Sequence, residues 1–221
     1  MDVKRGATVI GARNFLIAYN VNLNTTSTRR ANAVAFDVRE AGRVMREGNK
    51  PSGKPLLNAD GTPKIQPGSL THVKAIGWFI EEYGIAQISM NLTDINETPL
   101  HRVFEEVCEK ARLRGLRVTG SELVGLVPLQ SLLDAGRYFL KQQQRSIGVS
   151  DTELIKIAVK TMGLNELAPF IPEQRIIEYK VNSSQTPNLI QLSLKEFLEL
   201  TASESPAPGG GSVSAYLGAL G

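Results

Sequence analysis

Cysteine is almost absent: Cys108 stands alone among 221 residues. A single thiol cannot close an internal disulfide or supply a Cys-rich metal site, so a reducing compartment is the expected setting. No apolar run approaches the length needed to span a membrane. The start, Met1-Asp2-Val3-Lys4-Arg5-Gly6, lacks the apolar region of a secretion signal. The expectation is a soluble, cytoplasmic chain. Charge of one sign is scarce as well. The formal net charge is +3 and the sequence pI is near 9.0. Acids and bases are interspersed, short of the clustered charge of a nucleic-acid binder, whereas an anionic small molecule would suit such a surface. The hydrophobic share of 42% suffices for a sizeable core, in one large domain or two small ones.

What is present is organised around Gly11–Asn24. Continuous β-formers give way to asparagines alternating with aliphatic residues. This reads as a central strand, buried on both sides at its start and with a polar face towards its end. Asn20 and Asn22 then project opposite to Tyr19, Val21 and Leu23. Asparagine is a poor strand former, so a pair of them suggests a task for that face.

The hydroxyls of Thr25–Thr28 offer N-caps for a helix carrying Ala31, Val34, Ala35, Val38 and Ala41 at helical spacing. Four to five turns are predicted, ending at Gly48 and Asn49. A Gly- and Pro-rich surface loop follows to Gly68. Val73 to Tyr83 and Ile85 to Leu92 are predicted strands joined at Tyr83-Gly84. The latter alternates Gln87, Ser89 and Asn91 with Ala86, Ile88, Met90 and Leu92. Pro99 opens a second helix with the stripe Leu100, Val103, Phe104, Val107 and Ala111, stopped by Gly115. Leu116 to Val127 is a fourth strand. The order is strand, helix, strand, strand, helix, strand: an α/β (α+β) fold of the ferredoxin-like, split βαβ kind with an antiparallel or mixed sheet. Its central neighbours are the first and third strands, so Asn20, Asn22, Gln87, Ser89 and Asn91 share a face. The helices cover the other face, leaving this one for water or a partner.

Two further helices follow at Pro128–Gln143 and Ser150–Met162, the second opened by a capping box of Ser150 and Glu153. A short strand is predicted at Arg175–Val181. The domain reading is residues 1–181 as one unit, 182–190 as a linker, and 191–221 as the truncated start of an all-helical domain. In the last piece Ser193 and Glu196 form a second capping box, and the apolar run Val213–Leu220 is too short to bury itself.

The motifs Gly6-Ala7-Thr8, Gly11-Ala12-Arg13, Phe15-Leu16-Ile17-Ala18-Tyr19-Asn20, Gly77-Trp78, Ala86-Gln87-Ile88-Ser89, Asn91-Leu92, Leu123-Val124-Gly125-Leu126-Val127-Pro128 and Arg175-Ile176-Ile177-Glu178-Tyr179 together resemble the formiminotransferase half of the formimidoyltransferase-cyclodeaminase family, folate enzymes of histidine breakdown. They correspond to its C-terminal transferase subdomain. Ala207-Pro208-Gly209-Gly210-Gly211-Ser212-Val213 looks like the glycine-rich opening of the cyclodeaminase domain. The resemblance implies transfer of a formimino group from N-formimino-L-glutamate to N5 of tetrahydrofolate, then ring closure with release of ammonia to give methenyltetrahydrofolate. It implies tetrahydrofolate as the acceptor, no metal, no nucleic-acid or membrane partner, and a homo-oligomer. It also implies a folate tunnel between two subdomains, with the catalytic histidine on the N-terminal one. The expectation is therefore a fragment that supplies one wall of the folate site and is inactive alone.

Among the candidate residues, Asn20, Asn22, Gln87, Ser89 and Asn91 are read as a folate-facing wall or as a docking surface for the other subdomain. Amides offer both donor and acceptor to a pterin edge. By resemblance Gly6, Ala7 and Thr8 end the folate-contacting segment. Arg13 either attracts a folate carboxylate or is an ordinary surface arginine. His101 and Glu105, four residues apart, lack a third metal ligand, so His101 is expected to be a partly buried, hydrogen-bonded helix residue. His72 receives no role. Cys108 is expected in the core, and Glu122 in a structural hydrogen bond or facing the tunnel. Gly209–Ser212 is expected to be a flexible linker here. The rival readings are a non-catalytic ferredoxin-like module binding RNA or a metabolite, and a dimerisation unit. The polar central strand, with no aromatic platform for stacked bases, argues against RNA.

Overall fold

Strand alternation builds one sheet, and the ladder partners decide where each strand begins. The computed structural model describes residues 6–8, 10–49, 52–182, 192–203 and 208–220. The central strand β1 (Ile17–Leu23) pairs antiparallel with β5 (Ile85–Leu92) from Ile17↔Leu92 to Leu23↔Ala86, and with β6 (Val118–Val124) on its other side. Neither neighbour reaches past Ile17. The predicted strand start at Gly11 is therefore wrong: Gly11–Phe15 lies exposed outside the sheet. β4 (Val73–Ile80) completes the order β4-β5-β1-β6, antiparallel throughout. With α1 (Thr28–Val38) and α2 (Leu100–Leu113) as the crossovers, this is the split βαβ arrangement predicted from the element order.

One sheet face carries Tyr19, Val21, Leu23, Ala86, Ile88, Met90 and Leu92. It packs on Ala31, Val34, Ala35 and Val38 of α1 and on the predicted stripe of α2. Each such side chain is worth about 1.5–3 kcal/mol when fully buried. α1 is N-capped by Ser27, whose oxygen accepts from Arg30 N. It is shorter than predicted. Gly42 turns the chain in the left-handed region (φ 55°), and Arg43 folds back to donate to Ala33 O at 2.7 Å and to Asp37. The periodicity continued to Ala41, but this turn ends the helix. A small hairpin pairs β2 (Arg43–Val44), inside the stretch predicted as helix, with β3 (Ile65–Gln66), inside the stretch predicted as a surface loop.

α3 (Leu129–Gln142) and α4 (Asp151–Met162) pack beside this unit, their backbones close at Gly136 and Leu154. Ser150 accepts from Glu153 N at 3.3 Å, and Gly163 ends α4 with φ 63°. The chain then runs along the free edge of β6, where Ser121 N donates to Gly163 O. The predicted strand at Arg175–Val181 is not one. α5 (Pro172–Arg175) and α6 (Ile177–Asn182) flank a single bridge, Ile176↔Val127. Pro172 starts the first of these turns. The Glu178 carboxylate accepts from Leu129 N at 2.8 Å, satisfying the start of α3, whose own cap residue is Pro128.

Residues 1–180 form one compact unit and 181–221 another. In the second, α7 (Leu194–Thr201) has the full predicted capping box of Ser193 and Glu196. α8 (Gly210–Leu220) takes up Gly210–Ser212, expected to be linker, as helix, and its Tyr216 ring lies 5.4 Å from Phe197. Except for Asn182, the predicted linker falls outside the described residues. Among the described residues no helix is long and apolar enough to cross a membrane.

Candidate functional site

Register places five predicted residues on the sheet face opposite α1 and α2. Asn20 lies between Ser89 and Glu122, and Asn22 between Gln87 and Gly120, while Asn91 is opposite Ala18. β4 contributes Lys74, Ile76 and Trp78, opposite Asn91, Ser89 and Gln87. The face is thus polar at its centre and apolar along β4, where Ile76 and Trp78 are exposed.

Its burial differs from expectation. Asn20, Asn22 and Gln87 are buried rather than open, Ser89 is intermediate, and only Asn91 is exposed. Asn22 is covered by Glu166, in the turn after α4, which lies over Gly120; a Cβ there would sit 2.6 Å from that of Glu166. Asn22 Nδ2 donates to Glu166 Oε2 at 2.7 Å, and Gln87 Nε2 donates to Asn22 Oδ1 at 2.7 Å and to Glu122 Oε2 at 3.3 Å. Two amides are thereby strung between two carboxylates. Gln87 Oε1 is buried without a partner, and Asn20 makes no side-chain hydrogen bond among the described residues. An orphaned acceptor such as Gln87 Oε1 is costly to bury and marks a place where a donor is wanted. Glu122 has the hydrogen bond predicted for it. Glu166 was missed, because nothing in a polar turn 144 residues from Asn22 signals that it returns to the sheet.

The other candidates are not drawn together with this face. Gly6, Ala7, Thr8 and Arg13 are exposed, and Arg13 Nη1 donates only to Asn14 O, at 3.4 Å. His72 sits in a loop with φ 56°. His101 stacks on Tyr138 at 4.5 Å, yet its buried Nδ1 has no partner, so the expected hydrogen bond is missing on that side. Burial holds its pKa below 6.5, opposed by Asp134. The stability this group contributes is full above pH 6.5 and is lost as pH falls through the depressed native value. An NMR titration should find His101 protonating below the ordinary histidine value of 6.5, and His101→Phe should flatten the acid side of the stability curve. Burial, helped by Glu105, pushes the Cys108 thiol up to about 12, which makes it a packed thiol rather than a nucleophile. Among the described residues no cluster of His, Cys, Asp and Glu could hold a metal ion.

The fold and this face define a ferredoxin-like α/β unit with a polar, acceptor-rich sheet surface. The Formiminotransferase domain family matches residues 18–182, and the Formiminotransferase-cyclodeaminase family matches residues 193–221. The chain belongs to the formiminotransferase domain family. It is 45% identical over 217 residues to formimidoyltransferase-cyclodeaminase of Gallus gallus and 42% identical over 218 residues to that of Dictyostelium discoideum. Both matches cover 98% of this chain but only 36% and 37% of those relatives. Glutamate formimidoyltransferase of Thermoplasma acidophilum is 39% identical over 138 residues, 62% of this chain and 37% of that protein. The chain spans little more than a third of the length of these curated relatives.

Proposed function

We propose that this chain supplies one wall of a folate site in an enzyme that moves a formimino group from N-formimino-L-glutamate to tetrahydrofolate. The observation that carries the reading is the hydrogen-bonded network in which the buried Asn22 and Gln87 join Glu122 and Glu166, with Gln87 Oε1 lacking a donor among the described residues. A reduced pterin is rich in N–H donors, and acceptors on a partly dry face select such an edge. Trp78, beside Gln87, offers a ring for the aromatic part of folate. Asn20, Ser89 and Asn91 extend the wall, while Gly6, Ala7, Thr8 and Arg13, which lie exposed and apart from this face, are assigned to the folate site by the family resemblance alone, Arg13 as the partner of a folate carboxylate.

In the reaction, N5 of tetrahydrofolate attacks the formimino carbon. The bond from that carbon to the glutamate nitrogen breaks, and glutamate leaves after its nitrogen takes a proton. Neither histidine, His101 stacked on Tyr138 or His72 in a loop, is on the polar sheet face, and the family resemblance assigns the proton-transfer histidine to a second subdomain. Residues 1–181 are the transferase wall, 182–190 the linker, and 191–221 the opening of a cyclodeaminase domain, the division favoured by the two separate family matches.

A formimino-transfer assay tests this. The 221-residue chain alone should show no turnover, and turnover should appear when the amino-terminal transferase subdomain of the chicken relative is added. Robust turnover by the chain alone would refute the division of labour.

A further inference from the structure

Arginines converge on the opposite side of the molecule. Arg29 and Arg30 lie on α1, Arg39, Arg43 and Arg46 come from the turn and hairpin after it, and Arg114 caps the end of α2. With Phe36, Val44 and Leu113 they line a depression of about 800 Å³. No carboxylate is among its lining residues. The one acid beneath it, Asp37, is shared by Arg43 and Arg114. Six guanidinium groups against one carboxylate leave a surplus of five positive charges, in a chain whose formal net charge is only +3.

Part of this cluster is held in place before any ligand arrives. Asp37 fixes Arg43 and Arg114, the latter also through Nη2 at 2.9 Å, and Arg43 donates to Ala33 O. Arg39 donates to Gly42 O at 2.9 Å and lies 4.0 Å over the Phe36 ring. Burial lowers the Arg43 pKa, and the like charges of Arg114 and Arg39 add to that against the pull of Asp37. Arg29 and Arg30 form no ion pair or side-chain hydrogen bond among the described residues. An ion-pair triad around Asp37 would explain two of the six arginines. The rest are fixed by backbone carbonyls or left free, which holding the fold together does not require.

We propose that this groove binds a chain of closely spaced phosphates. Guanidinium forks engage oxyanions bidentately, and several of them around one concavity match an oligophosphate better than a single anion. Its concave shape suits a small molecule or a short chain. The groove lies on the outward side of α1, across the helical layer from the polar sheet face, so its occupancy is independent of the folate reading.

Calorimetry with sodium tripolyphosphate on the full 221-residue chain tests the assignment. Saturable binding is expected, weakening steeply with salt. Arg29→Ala with Arg30→Ala should weaken it at least about tenfold. Both side chains are exposed, and the Arg30 backbone N–H that donates to Ser27 is kept. Arg102→Ala with Lys160→Ala, which removes the same charge elsewhere, should change affinity by less than about twofold. Citrate, a tricarboxylate, should bind at least about tenfold more weakly than tripolyphosphate. Absence of saturable binding, equal loss in both double variants, or equal binding of citrate would each overturn the proposal.

Discussion

Gly77→Ala is expected to lower the unfolding free energy by about 3 kcal/mol, about two-thirds from overpacking and the rest from lost hydrogen bonds. A Cβ on Gly77 would sit 2.2 Å from Asn32 N and 2.5 Å from Ala31 C. These are backbone atoms of α1 that no rotamer can move. The helix comes this close because Asn32 grips the strand: its Nδ2 donates to Gly77 O and its Oδ1 accepts from Gly77 N, both at 3.0 Å. β4 is an edge strand, so these are polar groups no neighbouring strand satisfies, and the amide stands in for the missing ladder. Asn32→Ala removes the grip without the clash and should cost only about 1–2 kcal/mol. Urea unfolding of the two variants separates the contributions. Equal losses would mean that close packing contributes nothing.

Asn22→Ala is the second large effect, expected at about 2–3 kcal/mol. Asn22 is fully buried and is both donor to Glu166 and acceptor from Gln87. Its loss leaves Gln87 Nε2 with only the 3.3 Å contact to Glu122. Replacing both members, Asn22→Leu with Gln87→Leu, should recover much of the stability, because apolar partners leave less unsatisfied. The same double variant should lose formimino transfer in the reconstituted assay. A stable double variant that keeps full transfer would show that the amides serve only the fold.

Much of this was legible in local pattern. Period-2 alternation in Ile85–Leu92 and the stripe from Leu100 to Ala111 translated directly into β5 and α2, because each has one covered face. The shared face of Asn20, Asn22, Gln87 and Ser89 followed from the topology alone. What stayed hidden depends on contacts far along the chain. Asn22 meets Glu166, which returns to the sheet from the far end of the unit, and α1 stops where Arg43 returns to Asp37. The expectation at Arg175–Val181 is a short strand. Ile176 is instead a buried plug, and Glu178 is the remote cap of α3. The arginine groove escaped for a similar reason: its members span Arg29 to Arg114, and their charges are diluted in sequence by acids that lie elsewhere in the fold.

Trp78 is the chain's only tryptophan, a residue 42% exposed on the strand next to Gln87. The polar face therefore carries its own optical label. In the uncovered chain the indole should emit at long wavelength and be readily quenched by acrylamide. Whatever settles on that face should shift the emission to the blue and shield it from quencher. Tripolyphosphate in the groove behind α1 should leave the emission unchanged.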